Sequence, residues 1–188
     1  MSTIIFLNGT SSSGKTSLLK ALQTRLHEPY LDMGIDKFIW MLPKRYLDRP
    51  LWDDVLGKAH QPGPVGLTLF SGMHHAIAAA ASRGNNILAD HVFVEKAWVD
   101  ECAELFAGTN AYLIGLTCPL NVLEQREKER QDRTLGQARL QYEVIHKYTR
   151  YDLELDTSKL TVEDCAEQVI VRLKSRPAAF RKLKVIID

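Results

Sequence analysis

Residues 9–16 read GTSSSGKT, and no other stretch restricts the architecture of this chain as tightly. Gly9, four intervening residues and then Gly14-Lys15-Thr16 fit the phosphate-loop pattern. In that pattern a turn of backbone N–H groups wraps a polyphosphate and a lysine reaches its terminal phosphates. The flanks agree with it. Ile4-Ile5-Phe6-Leu7 is a short apolar run of buried-strand character, and the residues from Ser17 onward form a helix with apolar positions 18, 19, 22 and 26. Strand, glycine-bounded turn and helix N-terminus are therefore consecutive, so loop amides and helix dipole face one anion. A serine-rich surface turn would need neither flank. Gly9, Thr10, Ser11, Ser12, Ser13, Gly14, Lys15, Thr16 and Ser17 are thus read as a nucleotide-phosphate cradle. Lys15 is assigned to the β- and γ-phosphates of the nucleotide and the Thr16 hydroxyl to Mg²⁺.

The 188 residues suit one domain with a proper core, and a formal charge of +1 supplies no general field for nucleic acid or an anionic membrane. Six basic residues and no acidic one fall between Arg172 and Lys184, which reads as a solvated helix end in preference to an anion-binding tail. Cys102, Cys118 and Cys165 are isolated and odd in number, hence buried or inert thiols. With neither a signal-peptide pattern nor an apolar run of membrane-spanning length, a cytoplasmic location is expected.

Apolar runs at 30–36, 86–90, 111–116 and 153–155 follow the first strand, and helical patterns at 65–82, 95–107, 119–133, 137–150 and 162–173 separate them. The helix at 162–173 reads as the last strong one. Alternation at this rhythm means parallel pairing with right-handed crossovers. The fold class is therefore a three-layer α/β/α sandwich with a five-stranded parallel sheet. Residues 37–66 hold four prolines, Trp40 and Trp52 without a long period, and read as turns and loops of a substrate-cradling insert.

Ligands of such folds bind at the carboxyl ends of the strands. Asp36 and Asp90 each follow an apolar run, so both are expected in one crevice. The first could accept a proton from an attacking hydroxyl and the second could orient Mg²⁺ through a water. An Asx turn or a helix N-cap is the alternative for either. Asp32, earlier on its strand, is expected on a packed or solvated face. Arg126, Arg130 and Arg133 lie four and three apart in EQREKERQDRTLG, either as a lid that stabilises a phosphoryl transition state or as a salt-bridged surface helix. The six histidines make no metal pattern; His91 and His146 read as packing or substrate-lining groups.

The segments LNGTSSSGKTSLLKALQ, YLDMGIDKFIWMLP, ILADHVF, EKERQDRTLGQARLQ and VIHKYTRYDLELDTS, in order over residues 3–172, closely resemble the chloramphenicol phosphotransferase family of P-loop kinases. The resemblance implies phosphorylation of a primary hydroxyl with ATP and Mg²⁺. By it, Asp36 is the catalytic base, Arg130 and Arg133 are lid arginines in a lid at 124–136, and adenine lies near Asp156-Thr157-Ser158. Two features depart from the family pattern. His91 stands where that pattern has a second acidic residue, and residues 43–64 and the basic tail match poorly. The acceptor is accordingly expected to be chloramphenicol or a similar small alcohol, with a nucleotide sugar, a nucleoside or an RNA end as alternatives. A regulatory nucleotide switch ranks low, because no Asn-Lys-x-Asp string occurs. Homo-oligomerisation stays open.

Overall fold

The computed structural model describes residues 2–48, 55–56, 61–129 and 136–187. The apolar runs become strands β1 (Thr3–Asn8), β2 (Tyr30–Asp32), β3 (Asn86–His91), β4 (Asn110–Thr117) and β5 (Leu153–Asp156). All pair in parallel in the order β2-β3-β1-β4-β5. The helices are α1 (Lys15–Arg25), α2 (Ile35–Ile39), α3 (Pro64–Ser82), α4 (Lys96–Phe106), α5 (Leu120–Glu129), α6 (Gln137–Tyr142), α7 (Val162–Arg172) and α8 (Ala179–Ile187). The expected sandwich is present. The pleat sends Ile4, Phe6, Ile87 and Ala89 toward Phe70, Met73, Val99 and Phe106 of α3 and α4. Ile5, Leu7, Leu88 and Leu155 meet Leu18, Leu22, Cys165 and Val169 of α1 and α7 on the other face. Burial of both faces is why the strands read as unbroken apolar runs.

Two boundaries differ from the sequence reading. The second strand stops at Asp32 and does not reach Asp36. Asp32 Oδ1 accepts from Gly34 N (3.2 Å), and this side-chain turn redirects the chain into α2 with Asp36 in its first turn. The helix expected over 137–150 ends at Tyr142. Beyond it Ile145 turns inward to full burial and its carbonyl accepts from Asn8 Nδ2 at 2.9 Å, which a straight helix could not offer.

The basic tail is more than a solvated end, since α8 forms within it and Phe180 sits 5.5 Å from Phe6 and 5.7 Å from Phe106, ring to ring, in the core. Arg172 bonds Asp152 through Nη2 to Oδ1 and Nε to the carbonyl, both at 2.9 Å. Asp152 Oδ1 also accepts from Ala178 N and Ala179 N at 2.7 and 3.2 Å, so one buried carboxylate anchors α8. All three cysteines are buried thiols, as expected. No described helix is long and apolar enough to cross a membrane.

Candidate active site

The phosphate loop leaves β1 at the carboxyl edge of the sheet and closes onto α1. Ser12 and Gly14 hold positive φ (62° and 94°), the left-handed kinks that allow a backbone turn to form an anion-binding concavity. The Ser11, Ser12 and Ser13 hydroxyls are buried and unpartnered. Buried polar groups are expensive to leave unpaired. A loop kinked in this way, with orphaned buried hydroxyls, fits a polyphosphate, whose oxygens supply the missing partners. Lys15 Nζ donates to Gly9 O and Thr10 O, each at 2.7 Å, so its charge is already stationed over the loop.

A cleft opens in front of the loop, and Lys15, Thr16, Ile35, Asp36, Asp90 and Gln141 are among its lining residues. Register puts Asp90 beside Leu7, one residue short of the end of β3. Its Oδ1 accepts from Ile35 N (3.2 Å) and its Oδ2 from the Thr16 hydroxyl (3.4 Å). Burial pushes the Asp90 carboxyl above the ordinary carboxylate range; Lys15 opposes the shift, and the charges of Asp36 and Asp32 add to it. A carboxylate crowded by carboxylates beside a threonine hydroxyl fits a divalent cation, whose charge relieves that crowding. Asp32 turns out to be a structural residue: besides bracing Gly34 it pairs with Lys37 at 3.4 Å.

An adjoining cleft is lined by Ser12, Gly14, Leu116, Arg126, Thr157 and Cys165. Arg126 spans it, donating to the Thr157 hydroxyl at 3.2 Å and to the Thr157 carbonyl at 2.7 Å. Arg126 is thus fixed at the end of β5, where the resemblance set the adenine. Arg130 and Arg133 lie outside the described residues, as do Trp52 and most of 49–60. Glu124 pairs with Arg139 at 2.6 Å, as a salt-bridged helix would. Glu127 does otherwise: it is buried and accepts from Gly136 N (2.6 Å) and Ala138 N (3.0 Å), capping α6.

The packing role read for His91 holds. Its ring stacks on Phe93 at 4.0 Å and 10°, and its Nε2 lies 2.9 Å from His74 Nε2. His74 Nδ1 in turn meets Glu101 Oε2 at 2.5 Å. With Glu101 accepting from His74 Nδ1–H, His74 Nε2 is the acceptor and His91 Nε2–H the donor. Burial holds both rings below the ordinary histidine range, His91 well below it. Sequence reasoning missed Gln141, whose Oε1 accepts from Ser11 N at 2.6 Å. A glutamine 130 residues from the loop carries no motif that could have flagged it.

The family model described as "Chloramphenicol phosphotransferase-like protein" matches residues 2–174. A candidate O-phosphotransferase of Mycobacterium tuberculosis, found in strains CDC 1551 and H37Rv, is 32% identical over 196 residues, covering 96% of this chain and 87% of the relative. Among solved structures, an unliganded sugar kinase from Janibacter sp. HTCC2649 superposes with a TM-score of 0.69 at 16% identity, covering 95% of this chain and 98% of that one. The Mycobacterium tuberculosis APS kinase, solved with AMPPNP and APS, gives 0.64 at 18% identity over 93% and 98%. These likenesses establish the fold as that of P-loop kinases. By the family match the chain is a P-loop O-phosphotransferase, and it belongs to the chloramphenicol phosphotransferase-like family.

Proposed function

We propose that this protein transfers the γ-phosphate of ATP to a hydroxyl of a small-molecule acceptor, using Asp36 as general base. The observation that carries the reading is the cleft that holds Asp36 together with the phosphate loop, Lys15 and Asp90. Asp36 takes the proton of the acceptor hydroxyl as its oxygen attacks the γ-phosphorus. The bond from γ-phosphorus to the bridging oxygen breaks, and ADP leaves with that oxygen. Lys15 and the loop amides stabilise charge on the transferring group, where electrostatic preorganisation is worth most. The Thr16 hydroxyl and Asp90 would hold Mg²⁺, which would supply further charge neutralisation. Arg126 takes the adenine face, and Arg130 and Arg133, in a lid over 124–136, take the phosphoryl oxygens. This division of labour treats residues 1–188 as one kinase domain with an acceptor-cradling insert at 37–66.

The acceptor side carries apolar Ile35, Leu56 and Val92, and Trp40, 68% exposed, stands one helical turn beyond Asp36. That wall suits a compact alcohol with an apolar body, and chloramphenicol is the first acceptor to test. Incubation of the protein with ATP, Mg²⁺ and a panel of antibiotics, nucleosides and simple alcohols, read by mass spectrometry, is expected to yield a monophosphorylated acceptor and ADP. Failure with chloramphenicol alone would remove that substrate. Failure of every alcohol, with phosphate appearing only in water, would remove the proposed reaction.

A further inference from the structure

We infer that Gln141 is a positioning residue: its side-chain oxygen occupies the Ser11 amide as a stand-in for a phosphate oxygen, and nucleotide phosphate binds by displacing it. The contact is short and dry. Gln141 Oε1 accepts from Ser11 N at 2.6 Å, with Ser11 7% and Gln141 3% exposed. Both residues line the cleft in front of the loop. Loop amides of this kind are the donors on which a phosphate group sits. Any oxygen already bonded to one of them competes for the place.

Displacement would not stay local. Gln141 belongs to α6, whose first amides are capped by buried Glu127 of α5, and Arg139 of α6 pairs with Glu124 of α5 at 2.6 Å. Cys118, Leu123 and Ala138 pack in a small apolar cluster between the same two helices. A shift of Gln141 is therefore carried by α5 and α6 together. Gln137, one turn before Gln141, lines the same cleft, so this helix also faces the acceptor side. Phosphate arriving at the loop and the placement of α6 are thereby linked through one side chain.

The inference rests on residues 9–16 binding nucleotide phosphate. Gln141→Leu keeps most of the side-chain shape and removes the oxygen, so the unliganded loop loses its internal partner while the liganded loop does not. By calorimetry, ATP and inorganic tripolyphosphate should each bind about threefold to tenfold tighter to the variant, the ratio that one net hydrogen bond is worth. Adenosine, which carries no phosphate, should bind both proteins equally. Equal or weaker ATP binding with unchanged adenosine binding would overturn the inference, and so would a parallel loss for both ligands, which marks a purely structural role. If tripolyphosphate fails to bind the wild-type protein at all, the phosphate-loop reading itself has failed.

Discussion

Gly34→Ala should disable the site through one methyl group. Gly34 has φ −71° and ψ 161°, extended backbone that alanine adopts freely, so the substitution carries no conformational strain. Its effect is entirely a matter of room. A Cβ at this position would fall inside the van der Waals radius of Asp90 Oδ1, 3.0 Å from Asp90 Cγ and 3.3 Å from Asp32 Oδ1. Carbon and oxygen need more than 3 Å, so Asp90 and the start of α2 must separate by about 1 Å. Asp90 is bonded to Ile35 N and Thr16 Oγ1, so the separation also opens the contact that ties α2 to the phosphate loop and moves Asp36 with it. A misplacement of about 1 Å in a reacting group costs on the order of 10²-fold in rate, and overpacking of this size costs about 1–3 kcal/mol of stability. Steady-state kinetics with ATP and the best acceptor, alongside chemical denaturation, would read both. Gly72→Ala is the matched control: its Cβ meets nothing within 4 Å in the middle of α3, so it should keep full activity and gain about 0.5–1 kcal/mol. A Gly34→Ala enzyme within twofold of wild-type turnover would refute the placement of Asp90 against α2.

Arg126→Ala should raise KM for ATP roughly twofold to thirtyfold, since a guanidinium held over a π-face is worth about 0.5–2 kcal/mol, with a smaller change in kcat. Arg126→Lys should recover little, lacking the planar fork that grips Thr157, and an unchanged KM in both variants would remove Arg126 from the nucleotide site. Stability should fall as pH drops below about 6.5, the ordinary histidine value, because buried His91 and His74 resist protonation in the folded state while the unfolded chain accepts it. Each such histidine contributes fully above that pH and is lost below it at up to about 1.4 kcal/mol per pH unit. A flat denaturation profile between pH 7 and 5 would contradict the burial of the pair.

The phosphate loop, the five strands and the sandwich were legible because each rests on local pattern: glycine spacing, apolar runs and helical period. The boundary of β2 was not, because Asp32 reaches forward to the Gly34 amide and ends a run whose composition continues as strand to Ile35. α8 was obscured by its own lysines and arginines. Its contribution is Phe180, wedged between rings from β1 and α4 that no local window relates to it. Glu127 read as one charge in a solvated run, and its burial follows from two amides of α6 that only the fold brings near. Gln141 was invisible for the same reason. Asp36 and Asp90 were found by the strand-end rule even though Asp36 sits on a helix, because α2 begins within the same crevice.

The central claim is that Asp36 is the proton acceptor of a phosphoryl transfer to an alcohol, and its most direct test is turnover of the Asp36→Asn enzyme with ATP and the best acceptor found. Asparagine preserves the shape and removes the basic oxygen. Nucleotide affinity should stay close to wild type while acceptor phosphorylation drops by roughly the 10²–10⁴-fold that general base catalysis supplies. An Asp36→Asn enzyme that phosphorylates its acceptor at the wild-type rate would contradict the account.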